Sequence, residues 1–288
     1  MIRIKQLNNG FAMPEFGLGT WMMGGARTAD PENDDAGDVA ALKAGIDLGF
    51  THIDTAEMYA AGHAEELTGQ AIKDYDRKKL FIASKVMETN LSEAGVQKAA
   101  ENSLKRLGTD YLDLYMIHKP NDDFPLEDTV RGLDALIDHG LVRNIGVSNF
   151  SVARLDKARK LSRHGIKVNQ VHYNLLSREP ESSGLLQYCK DNDIMLCAWR
   201  PLQKGGLLDA PCKLLLEICE KYDKTPAQIA LNWLISQPNV VTMSTMRSPA
   251  HLGENLKATG WNMTTEDIER LRRDFPGQHA ISPNLPLA

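Results

Sequence analysis

A chain of 288 residues, 25% charged and 42% hydrophobic, can bury about three quarters of the surface of its unfolded form, in one large domain or two small ones. Its net charge of −5 argues against nucleic acid or anionic membrane as the main partner. The opening MIRIKQLNNG lacks the apolar core of a secretion signal, and no run approaches the roughly 20 apolar residues of a membrane span.

Residues 3–14, RIKQLNNGFAMP, read as a small hairpin turning at Asn9-Gly10 and covering one end of the fold. Eight short apolar or β-branched runs follow as expected strands: 14–20, 50–54, 79–85, 112–118, 142–148, 167–170, 194–199 and 239–244. Helical segments lie between them. In VQKAAENSLKRLG (96–108), Val96, Ala99, Ala100, Leu104 and Leu107 share one face and Gly108 ends it. TTEDIERLRR (264–273) is expected to open with Thr265, with acidic residues first and basic residues last, as the helix dipole favours. Cys189, Cys197, Cys212 and Cys219 form no CxxC pair, so free thiols in a reducing cytoplasm are expected, and no metal site.

Strands alternating with helices about every 30 residues imply parallel βαβ units. Eight units in this length predict a closed (β/α)8 TIM barrel, α/β in class, over a single domain, residues 1–288. An open nucleotide-binding sheet would need GxGxxG after its first strand; the chain has GLGTWM, with Met22 as the sixth residue.

In such a barrel every strand delivers its C-terminal end to one rim. Strand two ends in Asp54, strand three in Lys85 and strand four in His118, 31 and 33 residues apart, and Tyr59 follows Asp54 in the next loop. Singly, each has a plain explanation: a helix cap, a lysine reaching solvent, a satisfied core histidine, a packing aromatic. One polar group per consecutive strand end is a joint pattern, and it points to chemistry. A free phenol titrates near about 10, too high for efficient proton transfer at neutrality. A lysine beside it is expected to lower that value, and a carboxylate behind the lysine to keep it charged. Asp54 then holds Lys85, Lys85 tunes Tyr59, Tyr59 gives a proton to a carbonyl oxygen, and His118 positions that oxygen. A hydride donor would supply the missing component.

The other half of the rim offers Ser148 and Asn149 after strand five and Gln170 after strand six, groups suited to a neutral carboxamide or, equally, to turns. Strand seven ends in Trp199, an aromatic that either stacks on a flat ring or packs.

IDTAEMY, ASK, IHKP, GVSNF and VNQVHYN, in this order, together with GLGTW, EELTGQAI and ENLKA, resemble the aldo-keto reductase superfamily from about residue 5 to about residue 270. The resemblance implies the barrel, reversible reduction of aldehydes or ketones, and an Asp54–Tyr59–Lys85–His118 tetrad with Tyr59 as proton donor. It also implies NADP(H), favoured over NAD(H), bound along the rim by Ser148, Asn149, Gln170, Trp199, Arg200, Leu202, Ser244, Arg247, Glu254 and Asn255. Many members have tyrosine at the position of Trp199, and Lys-Ser and then Arg where this chain has Thr245, Met246 and His251, so two cations are absent. Arg247 is the nearest replacement for a 2′-phosphate contact, or else a solvated loop cation.

Trp21 and His118 are the expected substrate contacts, and the short tail after Asp274 is expected to leave an open pocket for small or hydrophilic carbonyls. Two other readings stand beside this one. A barrel aldolase would use Lys85 as a Schiff-base nucleophile, leaving Ser148, Asn149 and Gln170 unexplained. A cofactor-binding regulatory subunit would turn over feebly.

Overall fold

The computed structural model describes all 288 residues. β1 (Ile4–Gln6) and β2 (Ala12–Pro14) pair antiparallel, and Gly10 takes a φ of +85° in the turn between them. Eight strands follow: β3 (Phe16–Gly19), β4 (His52–Asp54), β5 (Phe81–Val86), β6 (Leu114–Ile117), β7 (Ile145–Ser148), β8 (Val168–His172), β9 (Met195–Trp199) and β10 (Val240–Ser244). Each pairs in parallel with the next, and β10 returns to β3, so the sheet closes into a barrel. All eight overlap the predicted runs.

Helices wrap the outside, with ends written locally. Over Glu93–Leu107, Ser92 caps the start by accepting from Gly95 N at 3.1 Å, and Gly108 leaves the helix at φ +63°, a left-handed turn that glycine enters freely. Val96, Ala99, Ala100, Leu104 and Leu107 are buried as their spacing predicts. The helix Thr265–Asp274 opens at Thr265 as expected, with Thr264 as its cap, accepting from Asp267 N at 3.3 Å.

The apolar interior divides in two. The larger layer lies between strands and helices and includes Phe16, Leu42, Ile53, Tyr115 and Trp233. The smaller lies inside the barrel, where Ala83, Met116, Val168, Met195 and Val241 meet Leu7, Phe11 and Met13 from the hairpin segment. The hairpin therefore plugs the end at which the strands begin. Lys5 reinforces this seat by bonding to the carbonyls of Gln237 and Val240, just ahead of and at the start of β10. The rim where the strands finish is left open for a site.

Candidate active site

Strand pairing alone carries three predicted residues to this rim. Asp54 pairs with Ala83; Lys85 lies two residues further along β5 and pairs with Met116; His118 lies two residues beyond Met116. Side chains alternate along a strand, so this two-residue stepping keeps all three on the inward face while each strand climbs past its neighbour. Ser148, Gln170 and Cys197 continue the ring in direct register, with Gln170 opposite both.

Side-chain contacts then join them. Lys85 is fully buried and its Nζ donates to Asp54 Oδ1 at 2.5 Å, to the Thr55 carbonyl at 2.8 Å and to the Tyr59 hydroxyl at 3.4 Å. Tyr59 sits at the start of a short 3-10 turn, Tyr59–Gly62, in which Ala60 and Ala61 adopt positive φ. Its ring packs edge-on against Trp21 at 5.1 Å and His118 at 5.5 Å between centroids.

The electrostatics depart from expectation at one point. Burial disfavours the Lys85 ammonium, but Asp54 outweighs it, and the lysine pKa lies above its ordinary value. The Tyr59 phenol was expected to be lowered. Burial instead pushes it up, and the opposing pull of Lys85 does not overcome that shift. The phenol therefore holds its proton at neutral pH, the form a donor needs, while Lys85 stands ready to stabilise the charge left behind. Burial, then Lys85, Lys119 and Arg27, hold the His118 imidazole well below its usual value, so it is neutral. Its Nδ1 is buried with no protein partner.

A cleft of about 780 Å³ opens over these groups. Trp21, Asp54, Tyr59, His118, Ser148, Asn149, Gln170, Trp199, Arg200, Leu202, Ser244, Glu254 and Asn255 all line it, and Lys85 lies behind the wall. Arg247 does not line it. Its guanidinium is turned to Asp38, Nε to Oδ1 at 2.7 Å and Nη2 to Oδ2 at 2.9 Å, while the side chain stays 43% exposed. At that end the wall holds Thr245 and His251.

Trp199 stacks one face on His172 at 4.4 Å and donates from Nε1 to Asn149 Oδ1 at 3.0 Å. Asn149, at φ +63°, passes the constraint on, donating from Nδ2 to Ser148 Oγ at 2.9 Å and to the His118 carbonyl at 3.2 Å. Trp199 thus packs, one of its two sequence readings, and also orients an amide.

Other cleft residues escaped the sequence reading. Asn284 and Leu285 come from the C-terminal tail. Glu179 draws that tail in by accepting from Ser282 N at 2.9 Å and Leu287 N at 3.1 Å. The tail therefore forms part of the pocket wall rather than leaving that side open. Proline and asparagine in ISPNLP mark a turn, the one signal available.

The aldo/keto reductase family model matches residues 15–273. The chain belongs to this family. It is an oxidoreductase that reduces aldehydes or ketones to alcohols with NAD(P)H. Among its relatives, the methylglyoxal reductase YeaE of Escherichia coli (strain K12) is 36% identical over 278 residues, covering 95% of both chains. The crystal structure of Tm1743, a thermostable aldo-keto reductase in complex with the inhibitor epalrestat, superposes with a TM-score of 0.91 at 44% identity, covering 94% of this chain and 99% of that one. An aldo-keto reductase from Klebsiella pneumoniae, solved in complex with NADPH, gives 0.85 at 35%, covering 97% and 98%.

Proposed function

We propose that this reductase acts on small aldehydes and dicarbonyls of the methylglyoxal type, with NADPH preferred over NADH and Tyr59 as the proton donor. The observation that carries the assignment is the fully buried Lys85 Nζ holding Asp54 at 2.5 Å and the Tyr59 hydroxyl at 3.4 Å beneath the cleft.

The residues fit a nicotinamide carboxamide. Gln170 lines the cleft with Nε2 committed to Asp54 Oδ2 at 2.8 Å, and its Oε1 has no protein donor. That oxygen can accept from a carboxamide N–H beside Ser148 and Asn149. Trp199 still borders the cleft with His172 behind it, ready for a flat ring. The reduced nicotinamide, when bound, supplies the hydride that adds to the carbonyl carbon.

This chain's own groups do the rest. The Tyr59 hydroxyl and neutral His118 place two hydrogen-bond donors toward one carbonyl oxygen, which polarises the carbon. As negative charge grows on that oxygen, Tyr59 gives up its proton. Lys85, held charged by Asp54, stabilises the resulting phenolate. Because Lys85 is kept as an ammonium, it lacks the lone pair that a Schiff-base nucleophile needs, which counts against the aldolase reading. Trp21 gives the mouth an apolar lip, and Asn284 and Leu285 narrow it in favour of small substrates. Four thiols without disulfides support a cytoplasmic setting.

The test follows the loss of reduced-nicotinamide absorbance with NADPH and NADH in turn, against methylglyoxal, simple aldehydes, sugars and aromatic ketones. Fastest turnover is expected for methylglyoxal with NADPH. If no carbonyl supports cofactor oxidation, the assignment is wrong.

A further inference from the structure

Residues 21–34, between β3 and the first long helix, contain no helix or strand beyond two isolated bridges, Met22 with Gly25 and Gly25 with Ala29. The segment nonetheless carries Trp21, whose ring packs on the Tyr59 ring. Something must hold it, because an unpaired surface loop is ordinarily among the least stable parts of a domain.

The hold comes from across the rim. Asp38, in the helix Asp35–Asp47 and 3% exposed, accepts from Gly24 N at 3.0 Å and from Asn33 Nδ2 at 2.8 Å, gathering both ends of the loop. Arg247, after β10, then closes on the same carboxylate with two nitrogens and also donates to Asn33 Oδ1 at 3.0 Å and to the Met22 carbonyl. Thr245 adds a bond at 3.4 Å from its hydroxyl to the Trp21 carbonyl. A two-pronged guanidinium–carboxylate pair fixes orientation as well as distance, and here the carboxylate is buried.

We propose that Arg247 is a positioning residue: through Asp38, Asn33 and Met22 it straps residues 21–34 to the rim and so holds Trp21 against Tyr59 at the substrate mouth. It does not read the cofactor's phosphate. The inference rests on the proposed function only in taking Trp21 as a substrate contact; the strap itself is tested without turnover.

The experiment compares wild type, Arg247→Met, Asp38→Asn and the double variant by three readouts. Hydrogen exchange followed by mass spectrometry should show residues 21–34 exchanging faster in each variant, with the barrel strands unchanged. Quenching of tryptophan fluorescence should give an NADPH-to-NADH Kd ratio within about twofold of wild type. The KM for methylglyoxal should rise about tenfold, more than kcat falls, as expected when a contact at the mouth is loosened. The double variant should be no worse than the worse single one, because both substitutions cut the same strap. Should Arg247→Met fail to fold, Arg247→Lys, which keeps the charge without the fork, should show the same changes in reduced size. A Kd ratio moved about tenfold toward NADH with exchange of 21–34 unaltered would overturn the proposal and make Arg247 a phosphate contact. Unchanged exchange and unchanged KM would also overturn it. If wild type reduces no carbonyl, the proposed function fails, while exchange and cofactor binding still decide the strap.

Discussion

Gln170 reaches across the mouth of the barrel to Asp54, its Nε2 donating to Oδ2 at 2.8 Å while Lys85 takes Oδ1 at 2.5 Å. The two residues stand on β8 and β4, strands opposite each other in the closed sheet. Each oxygen of the buried carboxylate therefore has its own donor, one from each side of the rim. Removing one donor strands part of a buried charge, which costs more than the bond itself contributes. Gln170→Leu should lower stability by about 1–3 kcal/mol, measured by urea unfolding, and weaken cofactor binding through loss of its Oε1. Unaltered unfolding and binding would show that Gln170 is dispensable.

Tyr59→Phe separates chemistry from packing. The hydroxyl makes a single contact, to Lys85, and the ring contacts with Trp21 and His118 survive the change. A drop in kcat of about 10²–10⁴-fold is expected, the usual worth of a positioned acid, with cofactor Kd preserved. Turnover near wild type in this variant would remove Tyr59 from the mechanism.

Lys85→Met has a different signature. It leaves Asp54, 2% exposed, as a charge with only Gln170 for company. A loss of about 3–5 kcal/mol is expected along with activity. Adding Asp54→Asn should recover part of the stability and none of the turnover. Equal stability in the single and double variants would mean the pair is not energetically coupled.

The pH profile of reduction follows from two shifts. Tyr59 is raised by burial, so its proton stays on through neutrality and is lost only above the usual phenol range. His118 is depressed, so no protonation step falls near its ordinary value of about 6.5. The kcat for reduction should run level from about pH 6 to about pH 9 and fall beyond it. Alcohol oxidation, which needs the phenolate, should rise toward alkaline pH. A limb near about pH 6.5 that vanishes in His118→Gln would contradict the neutral imidazole.

His63 links the turn after Tyr59 to the helix Asp35–Asp47, with Nδ1 on Glu66 at 2.8 Å and Nε2 on Asp35 at 2.7 Å. Glu66, then Asp35, raises its pKa above the ordinary value. The contribution to stability is thus complete below the unfolded value of about 6.5 and lost as pH climbs through the higher folded one. Wild type should lose more urea resistance than His63→Gln between pH 5.5 and pH 8.5. Parallel losses would remove His63 from the pH response.

The barrel was legible because short apolar runs and capped helices are local patterns; Ser92 and Gly108 bracket their helix by their own chemistry. The tetrad was legible for the same reason, since Asp54, Lys85 and His118 need only end their strands inward. The pairing of Arg247 with Asp38 was not legible because the two lie 209 residues apart, a pairing no local pattern encodes. The bond from Trp199 to Asn149 spans strands separated by β8, so it depends on barrel curvature. The direction of the Tyr59 shift failed on a further ground: the neighbouring charge is visible in the chain, but the depth of burial exists only after packing.

Lys85 is fully buried and Asp54 nearly so, while Tyr59 lines the cleft above them. An acid spent at that position would be replenished from the same side. With Tyr59 as the proposed donor, departure of the alcohol and recharging of the phenol would share one route through the mouth.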